Sequence, residues 1–327
     1  MDINTLVDLM IARLPGLKGC ERIALQRKFD KAADLSILSK KDVEVLVGRA
    51  LKGAPWTMEE VLADAERDAV AAQKGGIRWV SLRQEEYPPL LREMPDPPVV
   101  LFYRGVLPNP EKPLVAVVGT RKPSAVAAQR AFKLAKELGE SGLSVVSGLA
   151  LGIDAMAHRG NIEGKAATIA VLGSAPDCVY PATNRGIARR ILETGGAILS
   201  EYPPGTMPAK WRFPARNRIV SGLARGVVIV EAPVKSGALI TAQFALDQCR
   251  DVWVDSAGVS SPCGAGTARL VEDGCRVIDS SLDILSEWNI GGNGIHHHAR
   301  ISSVGNVPFD KGAGLASSLA EYLDITL

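Results

Sequence analysis

Nine consecutive residues, Lys210 to Arg218, read Lys-Trp-Arg-Phe-Pro-Ala-Arg-Asn-Arg, four cations interleaved with two aromatic rings. Cations neutralise phosphates and aromatic faces stack on bases, each stack contributing on the order of 1–3 kcal/mol. A charged helix face with one buried Trp would give part of the same pattern. Pro214, however, keeps the stretch from being a regular helix interior, so the cations are not simply spaced along one solvated face. Single-stranded nucleic acid is the ligand these residue types favour.

Three further segments carry groups that could hold phosphate. Gly119-Thr120-Arg121-Lys122-Pro123-Ser124 follows an apolar run. Gly119 permits a tight turn, Ser124 is placed to cap a helix, and the helix amides beside Arg121 attract an anion. The same residues also read as a capped turn with a solvent-facing arginine. Ser147-Gly148 opens the stretch Ser147 to His158, where glycines leave room for a ligand backbone. Asp154 and His158, four apart there, invite a metal or acid–base reading. Asp154 capping the helix and His158 bonding locally is the preferred alternative, because the other histidines cluster at 296–298. In Glu231 to Ala242, Ser236 and Gly237 stand at a helix start, and the hydroxyls of Ser236 and Thr241 with the backbone amides offer a second phosphate seat. A plain strand–loop–helix turn would read the same way.

Several chemistries are not supported. The sequence holds no GxxxxGK[ST] loop, no GxSxG elbow and no HExxH, and Gly264-Ala265-Gly266 lacks the third glycine of a dinucleotide fingerprint. No cofactor and no metal site are expected. The five cysteines, Cys20, Cys178, Cys249, Cys263 and Cys275, form no CxxC pair, which fits a reduced cytoplasm. No apolar run approaches the ~18 residues of a membrane span, and the acidic N-terminus lacks an export pattern. A net charge of +2 is too small to announce nucleic-acid binding, so that reading depends on local patches.

These segments need a scaffold. From Leu114 short β-branched runs recur at 115–118, 145–146, 168–172, 197–199, 227–230, 252–254 and 277–278, with helical spacing between most of them, as in 127–138 and 239–249. Continuous apolar strands alternating with amphipathic helices predict an α/β fold, a parallel sheet with helices on both faces. Such a sheet binds its ligands at the carboxyl ends of its strands, where Gly119, Ser147, Gly173, Glu201 and Glu231 stand. A lead-in with strand-like runs at 78–81 and 99–103 precedes it. The expected organisation is a small helical domain over 1–75, a core over 76–288, and a glycine-rich tail over 289–327 with a terminal helix near 316–323.

The ordered segments GTRKPS, SGLALGIDAMAH, Tyr180-Pro181, LSEYPPGT, KWRFPARNRI and EAPVKSGALITA resemble the DNA processing protein A (DprA/Smf) family over about Tyr87 to Ile278. The resemblance implies an extended Rossmann-like fold that binds single-stranded DNA as a homodimer. It also implies protection of incoming DNA and loading of the RecA recombinase in natural transformation, without enzymatic activity. It makes Arg121 a phosphate contact, Lys210 a pocket lysine, Phe213 the base-stacking ring, and Arg216 with Asn217 the family's Arg-Asn pair. Two positions depart: Asp255-Ser256-Ala257-Gly258 replaces a Pro-Gly, and Gly266-Thr267-Ala268-Arg269-Leu270 lacks the family's asparagine. The tail is too short for the winged helix of many members, and Leu14 to Gly19 resembles a helix-hairpin-helix turn only weakly. The rival is a nucleoside monophosphate phosphoribohydrolase of the lysine-decarboxylase-like (LOG) kind, whose loop glutamate has no counterpart in 236–243.

Overall fold

The structure, a computed structural model, describes residues 3–290. The expected terminal helix near 316–323 and the histidines at 296–298 lie outside the described residues.

Five helices open the chain: α1 (Ile3–Arg13), α2 (Gly19–Lys28), α3 (Ala32–Ser36), α4 (Lys40–Val47) and α5 (Met58–Lys74). Ser39 and Thr57 cap α4 and α5 in reciprocal capping boxes with Asp42 and Glu60. Arg22 of α2 donates to the carbonyls of Ile11, Ala12 and Leu14, satisfying the open end of α1. After β1 (Arg78–Ser81), α6 (Pro89–Arg92) and β2 (Val100–Gly105), the alternating core begins. Its first half runs β3 (Leu114–Val118), α7 (Ala125–Glu140), β4 (Ser144–Ser147), α8 (Ile153–Glu163), β5 (Ile169–Val171), α9 (Arg185–Glu193) and β6 (Ala197–Ser200). The second half runs α10 (Arg212–Leu223), β7 (Gly226–Ile229), α11 (Gly237–Asp247), β8 (Asp251–Asp255), α12 (Ser256–Val259), α13 (Ala265–Glu272), β9 (Arg276–Ile278) and α14 (Ser281–Glu287).

The strands form one nine-stranded sheet in the order β1-β2-β6-β5-β4-β3-β7-β8-β9. Pairing is parallel from β6 through β9, while β2 joins β6 and β1 joins β2 antiparallel. The expected parallel sheet therefore carries an antiparallel edge built from the lead-in. Because both faces are covered there, the central strands bury alternate residues on opposite sides. Val115 and Val117 of β3 pack with α7, α8 and α14, and Ala116 and Val118 with α10, α11 and α13. Among the described residues no helix is long and apolar enough to cross a membrane.

The break expected near residue 75 is not a break in packing. Val7, Leu14, Leu35 and Val61 of the helical region share one hydrophobic cluster with Ile77, Val99, Val100 and Phe102 of the lead-in. Polar ties reinforce it: Gln26 donates to Ser81, and Arg83 to Asp8 and Asp30.

Pro214 lies in the first turn of α10, where a missing amide costs the helix nothing, so Ala215 to Leu223 continue helically. The expectation that this proline keeps the segment out of a regular helix is corrected on that ground.

Candidate nucleic-acid interface

The chain leaves β3 towards β4 on one side of the sheet and leaves β7 towards β8 on the other. The crevice of such a sheet opens at this reversal, outside the carboxyl ends of β3 and β7. Here it is partly filled from within. Glu231, just past β7 and fully buried, accepts from the Ser124 amide and hydroxyl, both at 2.8 Å, and from the Ser261 hydroxyl. The Ser124 hydroxyl in turn accepts from Ala127 N at 3.1 Å, capping α7. The amide and hydroxyl of Ser124 are thus taken by the protein's own carboxylate, which corrects the expectation that Ser124 itself is open to a phosphate.

Arg121 remains exposed, and its guanidinium carbon lies 5.7 Å from the centre of the Phe213 ring. Phe213, in the first turn of α10, is half-buried, with the Tyr180 ring 5.6 Å away and tilted by 39°. Beneath the ring lies Gly173 at the end of β5. A Cβ there would stand 2.9 Å from Phe213 Cδ1, so the close approach requires glycine. Tyr180 is half exposed, and Lys210 is exposed just before α10. Two rings and an arginine therefore meet where strand ends open to solvent, with Lys210 exposed three residues before Phe213 in the chain.

The remaining cations of the 210–218 segment are committed to the protein. Arg212 is held across the Tyr202 and Trp211 rings, at 4.8 and 5.0 Å. Arg218 pairs with Glu201 at 2.5 Å and Asp96 at 3.2 Å. Arg216 is only 4% exposed and donates to Gly148 O at 2.6 Å and to Val171 O, the carboxyl ends of β4 and β5. Burial pulls its pKa down to about 10, still charged at neutral pH. Its charge faces buried Asp154, which accepts from the amides of Gly148 and Ala150. Burial raises the Asp154 carboxyl, and Arg216 with those amides offsets part of the rise. The direct DNA contact expected of Arg216 is corrected accordingly: its guanidinium points inward and fixes strand ends.

Ser147 is fully buried and donates to Val117 O at 2.7 Å, and Gly148 is buried against Arg216 and Asp154. Neither is open to a strand in this conformation, contrary to expectation. Thr241, 2% exposed, donates to Gly237 O within α11 and is likewise closed off. Ser236 caps α11 by accepting from Ala238 N, and Asn217 Nδ2 donates to Gly237 O at 3.0 Å, tying α10 to that helix start. Ser236 and Asn217 stay partly exposed beside the exposed Lys235.

Asp154 is not the cap of α8, since Gly152 holds that position; it closes the preceding loop. Gly152 itself is needed, with φ at +77° and Thr120 O only 2.4 Å from where a Cβ would stand. His158 is fully buried, and burial pushes its pKa down to about 3. Thr168 gives its proton to Val145 O, so the neutral imidazole donates to Thr168 Oγ1 from Nδ1 at 2.8 Å. Among the described residues no group of His, Cys, Asp or Glu is arranged to hold a metal ion.

Sequence reasoning did not single out Gly173 as the floor under Phe213, the ring contact of Tyr180, or the anchoring role of Glu231. Gly173 and Glu231 were legible as strand-end residues, and Tyr180 as one half of a Tyr-Pro pair; their partners lie far away in the chain.

Comparison with known proteins bears on this arrangement. Residues 78–289 match the model of the family described as DNA recombination-mediator protein A. The DNA processing protein DprA of Bacillus subtilis is 38% identical over 233 residues, which cover 70% of this chain and 77% of that protein. The X-ray structure of DNA processing protein A from Streptococcus pneumoniae superposes with a TM-score of 0.72 at 32% identity, covering 88% of this chain and 98% of that one. A Helicobacter pylori DNA processing protein A structure, described for its unique single-stranded DNA binding mode, superposes with a TM-score of 0.57 at 30% identity over 65% of this chain and 96% of that one. By the extent of the family match and of these likenesses, the chain belongs to the DNA recombination-mediator protein A family.

Proposed function

We propose that this protein is a cytoplasmic single-stranded-DNA-binding recombination mediator, and a binding module rather than an enzyme. The observation that carries the reading is the Phe213 ring seated over Gly173 with Tyr180 and the Arg121 guanidinium beside it. A phenylalanine offers a strand only its π-face and edge, so stacking is its chemistry; the exposed Arg121 and Lys210 supply charge for the flanking phosphates. Asn217 and Ser236 stand at the α10–α11 junction as further polar contacts. The Helicobacter pylori relative's single-stranded DNA binding supports the same ligand here. Protection of incoming DNA, loading of RecA in natural transformation and action as a homodimer are the finer steps the family resemblance implies.

The phosphoribohydrolase reading is disfavoured by Glu231. This carboxylate at the carboxyl end of β7 is buried and receives three hydrogen bonds, so it is not free to act as a base. One paired assay tests the choice: binding of labelled oligothymidine beside release of base from nucleoside monophosphates. Salt-sensitive binding to single strands over duplex, with no base released, is the expected result. Turnover that disappears on replacing Glu231, or a preference for duplex, would overturn the proposal.

A further inference from the structure

We propose that α9, with the neighbouring strand β2, forms a second phosphate track that carries a single strand onward from the Phe213–Tyr180 seat. The inference rests on the single-strand reading above and extends its footprint.

Three features of the structure lead there. First, α9 has an arginine-rich outer surface flanked by two clefts. Arg185 and Arg189, one helical turn apart, line a cleft of about 300 Å³ together with Arg104 of β2. On the other flank Arg190 lines a cleft of about 360 Å³ with Arg159 of α8. Second, none of these arginines enters an ion pair among the described residues, whereas Arg13, Arg49, Arg83, Arg130, Arg218 and Arg276 all do. The one carboxylate lining either cleft, Asp177, is directed to the Gly205 amide at 3.2 Å. The arginines of α9, offset on that helix only by the exposed Glu193 at its last position, repel one another unless a polyanion covers them.

Third, the cluster is continuous with the stacking seat. Tyr180, whose ring meets Phe213, is followed by a short 3-10 turn, Ala182–Asn184, that leads straight into Arg185. Asn184 donates to Leu149 O and Ala150 O, both at 3.0 Å, fastening the start of α9 to the loop after β4. The helix N-terminus, positive by its dipole, starts five residues after Tyr180 in the chain, and the nine residues of α9 then run for about 13 Å. A chain of regularly spaced phosphates matches a row of unpaired guanidiniums that begins at an aromatic seat. An acidic protein partner would need the charge but not the continuity.

The test compares the wild type with a variant carrying Arg185→Gln, Arg189→Gln and Arg190→Gln, using oligothymidines of roughly six and about twenty nucleotides, lengths that bracket the span of one site. The short strand should bind both proteins alike. For the long strand the variant should lose on the order of tenfold in affinity at low salt, and its log–log salt slope should flatten by about 2, three phosphates at ~0.7 each. The corresponding triple lysine variant should retain most of the slope. Equal long-strand affinity and slope in variant and wild type would overturn the track and direct these arginines to an acidic protein surface. If wild type binds only the long strand and the glutamine variant binds neither, the track stands and the aromatic seat falls. If wild type binds neither strand, both fall together.

Discussion

Replacing Arg216 with Met separates a strut inside the protein from a contact with DNA. Methionine keeps length and most of the volume, so the loss is chiefly of charge and hydrogen bonds. Arg216 gives hydrogen bonds to Gly148 O and Val171 O and its charge faces the buried Asp154. Hydrogen bonds from a charged donor contribute roughly 1.5–3 kcal/mol each, and stripping a buried charge of its partner costs about 3–5 kcal/mol. Since these terms describe the same loss, the expected destabilisation is the latter range, about 3–5 kcal/mol. At roughly 2 °C per kcal/mol for a domain of this size, Tm should fall by about 6–10 °C. Oligonucleotide affinity of the folded fraction should change less than about fivefold, because Phe213, Arg121 and Lys210 are untouched. A pH series supplies an independent check. Asp154 has its folded-state pKa raised, so its protonated form favours the fold, and that contribution is lost as pH rises through the folded pKa. Removing Arg216 raises that pKa further, so the stability gap between variant and wild type should widen as pH rises through the wild-type folded pKa of Asp154. Adding Asp154→Asn should flatten the gap and recover part of the Tm. An unchanged melt beside sharply weakened DNA binding would refute the reasoning, because it would mean that the guanidinium turns outward to the strand.

Three further outcomes are expected. Phe213→Ala should weaken oligonucleotide binding by about 1–3 kcal/mol, roughly fivefold to a hundredfold, while Phe213→Trp retains it; because the ring is half-buried, a melt should show a smaller loss than the ~3–5 kcal/mol of a core phenylalanine. Arg121→Ala and Lys210→Ala should each weaken all single-stranded sequences about equally and reduce the salt slope by ~0.7, read from titrations across ionic strength. Gly173→Ala should lower affinity several-fold with the fold intact, since its methyl would stand 2.9 Å from Phe213 Cδ1 and tilt the ring; wild-type affinity would show that the ring's seat is not the binding platform.

The sheet was legible because strands buried on both faces leave uninterrupted apolar runs. Residues 115–118 and 227–230 became β3 and β7 almost as read. The inward turn of Arg216 was not legible, because an arginine's type does not reveal whether its guanidinium faces water or two carbonyl ends contributed by distant strands. Glu231 shows the same limit: a carboxylate at a strand end can be a base, a ligand or an anchor, and only the convergence of Ser124 and Ser261 decides. Pro214 was over-read, since the harm a proline does depends on its distance from the helix start. Gly75-Gly76 marks a change of chain direction, and packing across it leaves no periodicity in the sequence.

The cluster that joins the opening helices to Val99, Val100 and Phe102 has a consequence for how the chain is made on the ribosome. Synthesis delivers the helices first, with part of their apolar surface still waiting for β2. When β2 emerges it can cover them and pair with β1, yet its other edge pairs with β6, which includes Ala197 and Ser200 and is translated far later. For that interval the nascent chain presents an open strand edge beside the newly covered helices, the kind of surface that holding chaperones protect. Pausing or slowing translation between residues 105 and 197 should therefore prolong that exposure, whereas the same delay after β6 should leave it closed.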